Sequence, residues 1–81
     1  MAQKSQSLIR ERLRTYLIAQ RRKAGLRQVD LAKRLRRYQS YVTYVETGQK
    51  IVDVAELIEW AEAIGFDPVD AIKHVMRKRG E

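Results

Sequence analysis

The sequence predicts an all-α protein built as a compact five-helix bundle, on three observations. No long stretch alternates with period two, as a half-buried strand would. Apolar residues recur instead at three- and four-residue spacing. The punctuating residues Gly25, Gly48, Gly65 and Pro68 divide the chain into helix-sized pieces.

The first piece is expected to run from about Leu8 to Ala24, with Ser7 as its N-cap and Gly25 as its left-handed stop. Ile9, Leu13, Tyr16, Leu17 and Ala24 then share one face, and Ile18 lies away from it. A second, short helix spans Gln28 to Leu35, with Val29, Leu31, Ala32 and Leu35 apolar. A break at Arg36 and Arg37 precedes a third helix, Gln39 to Thr47, with Val42 and Val45 inward and Gly48 after its end.

Asp53, with Glu56 three residues on, is the D-x-x-E form of a capping box. It opens a fourth helix through Ile64 that directs Val54, Leu57, Ile58, Ala61 and Ile64 inward and closes at Gly65. Asp67 followed by Pro68 is an N-cap followed by proline at the first helical position. A fifth helix follows to about Lys78, carrying Val69, Ile72, Val75 and Met76. Phe66 and part of Trp60 complete the expected core.

The chain has 81 residues, which is one domain, 1–81, near the lower size limit for a core without staples, with frayed ends expected near 1–6 and 79–81. It has no cysteine, so disulfides, thiolate metal sites and cysteine nucleophiles are ruled out. There is no apolar signal core at the N-terminus and no apolar run near the roughly 20 residues needed to span a bilayer. A soluble, cytoplasmic, nucleoid-associated protein is expected.

The net charge of +7 is unevenly distributed. Through Lys50 there are 13 Lys and Arg against 3 acids, a balance of +10, and from Ile51 onward 4 against 7, a balance of −3. Such an N-terminal half suits a polyanion, with nucleic acid ahead of an anionic membrane, because phosphate neutralisation supplies most non-specific affinity.

The residues from Gln28 to Thr47 are the most informative, because two short helices joined by a tight turn need a small residue at their crossing and apolar residues on the buried side of the second. Ala32, Val42, Val45, Leu31 and Leu35 meet those needs. A helix held proud of the body in this way fits the DNA major groove. The stretches G-L-x-Q-x-x-L-A at Gly25 to Ala32, Q-S-Y-V at Gln39 to Val42, V-E-x-G at Val45 to Gly48 and W-A-E-A-I-G at Trp60 to Gly65 resemble the lambda-repressor-like, Cro-type or XRE-type helix-turn-helix family over roughly residues 13–66.

The resemblance implies the lambda-repressor-like form of the bundle, with residues 28–47 as its helix-turn-helix motif, and it implies residue roles. Gln28 would touch a phosphate and brace Gln39. Gln39, Ser40 and Tyr44 would face base edges, with Thr43 between them in reach of a base or a phosphate. Lys50 and the backbone amides after Gly48 would hold the adjacent strand, and Arg21 with Glu46 would form a buried ion pair. Glutamine suits base reading because its amide offers a donor and an acceptor to the N7 and N6 edge of adenine. Beside this motif, Arg27 and the basic run Lys33, Arg36 and Arg37 are expected on phosphates.

Three positions depart from the family pattern. Arg36 stands where the turn glycine is usual, so a non-glycine residue is expected in a left-handed conformation at a cost of about 1 kcal/mol. Arg27 replaces the usual Ser or Thr cap, with loss of a capping bond. Tyr44 replaces a basic or amide side chain.

Other features point to no chemistry. Tyr38, Tyr41 and Tyr44 recur at a spacing of three, which favours helix-rim packing with Tyr41 partly buried over a stacking platform for single strands. His74 has no second ligand in view. Ser5, Ser7 and Ser40 lack a base partner, and Glu56, Glu59 and Glu62 are expected to form a solvated face that keeps this half away from DNA. The expected function is therefore non-enzymatic and without cofactor or metal. It is that of a sequence-specific regulator of transcription, a repressor acting as a homodimer on double-stranded DNA, with Val69, Ile72 and Met76 or Ile18 as candidate partner surface. The resemblance equally covers an antitoxin that binds a toxin partner and regulates its own operon. An adaptor on the same fold would be expected to lack the Gln39, Ser40 and Arg37 set.

Overall fold

The computed structural model describes residues 2–76, and these form five helices. The first, α1 (Ala2–Lys23), begins well before Leu8, so Ser7 lies inside it and does not cap it, and residues 2–6 are helical. Nothing in this segment breaks a helix, since it holds neither glycine nor proline. Arg21, Arg22 and Lys23 occupy the last turn, where they complement the helix dipole. After Gly25 the chain reverses, and the Leu26 amide donates to the Arg21 carbonyl (3.1 Å).

The helices α2 (Gln28–Leu35) and α3 (Gln39–Glu46) are joined through Arg36, which has φ 59° and ψ 45°, a left-handed conformation. That geometry turns the chain sharply enough for the Arg37 amide to reach back to the Ala32 carbonyl (2.9 Å), so the last carbonyls of α2 are satisfied without glycine. Arg36→Gly is expected to stabilise the fold by up to about 1 kcal/mol, because glycine removes the Cβ strain and loses only part of that gain to its freer unfolded chain. Urea unfolding checks it, and a lower midpoint would show that the turn is unstrained.

The next helix, α4 (Val54–Ile64), is capped as its sequence dictates: the Glu56 amide donates to the Asp53 carboxylate (2.8 Å), and the Asp53 amide to Glu56 (3.0 Å). In α5 (Pro68–Met76) the Val69 amide donates to the Asp67 carboxylate (2.9 Å). The expected end of α5 near Lys78 and the fraying at 79–81 lie outside the described residues.

The core joins all five helices around Leu17, Leu31, Val42, Val45, Leu57, Trp60 and Ala71, all buried. Ala32, at 2% exposure, lies in the core cluster with Val42 and Val45 of α3, where its lone methyl group takes little room. Trp60 is wholly buried, not partly so, and Ala71 and Val75 are the buried residues of α5. Tyr16 meets Phe66 edge to face (5.6 Å between centroids) and His74 at a tilt (4.9 Å).

Ile9, Ala24, Val54 and Ile58, expected inward, are exposed. Ile9 lies on the early turns of α1, ahead of Leu13 and Leu17, which meet the core. Val54 opens α4 before the first core contact at Leu57. Ile18 is half-buried. Val69, Ile72 and Met76 lie exposed on α5. Among the described residues no helix is long and apolar enough to cross a membrane, and no cluster of His, Cys, Asp or Glu has the composition of a metal site.

Candidate nucleic-acid interface

Burial of Val42 and Val45 fixes how α3 is rotated, because residues on the opposite side of a helix must then face out. Gln39, Ser40 and Tyr44 are exposed, and Thr43 is half-buried. Tyr38, the residue preceding α3, is 87% exposed and supplies no side-chain cap. An open groove of about 700 Å³ runs beside this face, walled by Tyr38, Ser40, Tyr41 and Tyr44 and edged by Arg36, Arg37 and Lys50.

The base of α3 is anchored by a polar network. Arg21 forks onto Glu46, with Nε to Oε2 at 2.6 Å and Nη2 to Oε1 at 3.0 Å, and its Nη1 donates to the Leu26 carbonyl (2.8 Å). The two side chains are only 9% and 6% exposed, so this pair ties α1 to the end of α3 inside the protein. Gln28 donates from its amide nitrogen to Glu46 (2.9 Å), and its carbonyl oxygen accepts from the Thr43 hydroxyl (2.8 Å) and, more weakly, from the Gln39 amide (3.4 Å). Gln39 is thus braced by Gln28 through a long bond, while the Thr43 hydroxyl is directed at Gln28 and away from the surface. The fork is the reason the network is rigid: every member shares a partner with the next.

The cations around the groove fall into two groups. Lys33 and Arg36 are exposed and have no charged partner among the described residues. Arg27, Arg37 and Lys50 are each held by an acid. The Asp30 carboxylate accepts from the Arg27 backbone amide (2.8 Å) and from its guanidinium (2.9 and 3.0 Å), which pulls Asp30 down to about 2. One half of a capping box therefore survives without a Ser or Thr cap. Arg37 bonds to Glu59 (2.9 Å) and lies over the Tyr41 ring, 4.6 Å from its centroid. Lys50 reaches Glu56 (3.2 Å) and the Ile51 carbonyl (2.9 Å).

These contacts overturn two expectations. Glu59 and Glu62 are exposed as expected, but Glu56 is half-buried, and neither Glu56 nor Glu59 is remote from the motif, because α4 packs against α2 and projects both carboxylates towards Arg37, Lys50 and Tyr41. Sequence reasoning recognised Glu56 as a cap and as part of a solvated face, but not as a partner of Tyr41 and Lys50. The amides of Gln49 and Lys50 both donate to the Tyr44 carbonyl (2.8 and 3.0 Å), so they close the end of α3 and do not point outward. Arg34, in the middle of the basic run, turns inward to the Ala63 carbonyl (2.8 Å).

Tyr41 is the hinge of a second network. Its hydroxyl accepts from the Trp60 indole (3.1 Å) and donates to Glu56 (3.0 Å). Burial, with the Glu56 carboxylate adding to it, pushes the Tyr41 phenol up to about 12. Burial opposes ionisation of Glu56, but the Asp53 amide, the Tyr41 hydroxyl and Lys50 outweigh it and hold Glu56 below the usual carboxylate range. Among the described residues no buried side-chain polar atom lacks a partner. The surface is thus a rigid helix face of amide, hydroxyl and phenol groups inside a rim of cations, an arrangement suited to base edges within phosphates.

Comparison with known proteins agrees with this geometry. The family pattern described as a helix-turn-helix domain matches residues 12–72. An XRE-family like protein from Pseudomonas syringae pv. tomato str. DC3000 superposes with a TM-score of 0.87 at 30% identity, covering 91% of this chain and 90% of that one. The clp gene regulator ClgR from C. glutamicum superposes with a TM-score of 0.77 at 27% identity, covering 89% of this chain and 97% of that one. No curated protein sequence matches the chain.

Proposed function

The chain belongs to the XRE-type helix-turn-helix family of DNA-binding transcription regulators, and from that premise we propose that it is a sequence-specific repressor that binds a two-fold operator as a homodimer. The observation that carries the proposal is the face of α3: Gln39, Ser40 and Tyr44 stand exposed on a helix whose other side is locked into the core by Val42 and Val45. In the major groove these three side chains meet base edges, and Thr43, its hydroxyl held by Gln28, presents its methyl group. Gln28, Arg27, Lys33, Arg36, Arg37 and Lys50 meet phosphates on either side. Gln28 retains one amide hydrogen for that purpose after bonding to Glu46. The exposed Val69, Ile72 and Met76 of α5 supply apolar area for pairing of two copies.

Selection of bound fragments from random duplex DNA, followed by titration of variants, tests the proposal. Gln39→Ala is expected to lose roughly 1–3 kcal/mol on the selected operator and to relax preference at one base pair per half-site, with non-specific affinity nearly unchanged. Arg36→Gly, although more stable, is expected to bind every duplex less tightly and with a salt slope lower by about one per protomer. Equal weakening of operator and scrambled duplex by Gln39→Ala would mean that α3 does not read bases through this residue.

A further inference from the structure

Ser7, Arg10 and Arg14 fall at positions i, i+3 and i+7 of α1, so they line one face of that helix. They form one wall of a recess of about 300 Å³, with Gly48, Lys50, Ile51 and Val52 as the other wall and Leu13, Leu17 and Val45 beneath. No acidic side chain lines it. Arg14 reaches across the recess: its Nη1 lies 3.0 Å from where a Cβ on Gly48 would stand, so the guanidinium sits against the turn that follows α3, where the positive φ of +85° favours glycine.

Neither Arg10 nor Arg14 is paired with an acid among the described residues, whereas Arg27, Arg37 and Lys50 all are. Two cations four residues apart on a helix repel each other, and an external anion relieves that repulsion. Lys50 lines both this recess and the groove beside α3, so the two cationic zones meet at its side chain and continue one another. A row of charge that prolongs the edge of a base-reading face meets the same polyanion farther along its backbone.

We propose that Arg10 and Arg14 bind phosphates of duplex DNA flanking the segment read by α3, making α1 a second, sequence-independent contact strip. The inference rests on α3 facing the major groove. In that arrangement the α1 strip lengthens the footprint without adding base specificity, since guanidinium contacts to phosphate carry no sequence information.

The test uses the full chain with two duplexes, one ending at the operator and one extended by a helical turn on each side. The wild type is expected to bind the extended duplex more tightly and with a steeper salt dependence. Combining Arg10→Gln with Arg14→Gln is expected to abolish that gain and to lower the slope on the extended duplex by about two per protomer, while the base preferences of the operator persist. Combining Arg10→Lys with Arg14→Lys keeps the charge and is expected to keep most of the gain. Thermal unfolding of both variants checks that the fold is intact. An unchanged slope in the glutamine variant, or an equal loss in the lysine and glutamine variants, would overturn the proposal while leaving the α3 interface standing. Absence of salt-dependent duplex binding by the wild type would overturn both.

Discussion

Replacing Glu46 by alanine is expected to destabilise the protein by about 3–5 kcal/mol, because the Arg21 guanidinium would stay buried with only the Leu26 carbonyl to accept from it. Domains of this kind are stable by about 5–15 kcal/mol in total, so the loss removes a large share of that margin. Gln28 would lose its acceptor at the same time, freeing the amide that holds Thr43 and Gln39. Operator affinity is therefore expected to fall further than the unfolded fraction explains. Glu46→Gln keeps an acceptor oxygen and similar bulk, and is expected to fall between alanine and wild type. Urea unfolding followed by far-UV circular dichroism measures the effect, and an alanine midpoint near that of the wild type would show that the pair contributes little net stability.

Trp60→Ala is expected to cost about 3–5 kcal/mol, since it empties the largest buried side-chain site, at 0% exposure. The damage is not confined to the core. Tyr41 packs against the indole, 6.2 Å between ring centroids, and accepts its hydrogen bond, and Tyr41 in turn carries the Arg37 guanidinium and bonds to Glu56. Loss of Trp60 thus loosens the groove edge from beneath. Trp60→Phe retains most of the apolar volume but not the N–H, and is expected to lose about 1–3 kcal/mol. Thermal unfolding by circular dichroism separates the two, fluorescence being excluded because Trp60 is the sole tryptophan. A loss below that of Trp60→Phe would mean that the site collapses on alanine without leaving a cavity.

How much of this was legible beforehand depended on range along the chain. Helix periodicity, the Asp53 and Asp67 caps and the stops at Gly25 and Gly65 are signals a few residues long, and each appears in the structure where it was expected. The left-handed Arg36 was legible through the family resemblance, which puts the turn glycine at that position. The start of α1 was misplaced for the converse reason. Ser7 has the chemistry of a cap, but a polar residue inside a helix carries no local mark distinguishing it from one at the end.

By itself, then, the sequence determined the five helices, the face of α3 that carries Gln39, Ser40 and Tyr44, and the concentration of positive charge in the half that contains them. Tertiary structure alone decided that Arg37 meets Glu59 and Lys50 meets Glu56, how deeply Trp60 is buried, and that Ile9, Val54 and Ile58 stay outside. The physical reason is that a helix of period 3.6 states which of its residues share a side, but not which neighbour, if any, covers that side. Arg37 finds Glu59 across 22 residues of chain, through the packing of whole helices, and no spacing within either helix encodes that meeting; Arg21 and Glu46, 25 residues apart, were foreseen only through the family resemblance.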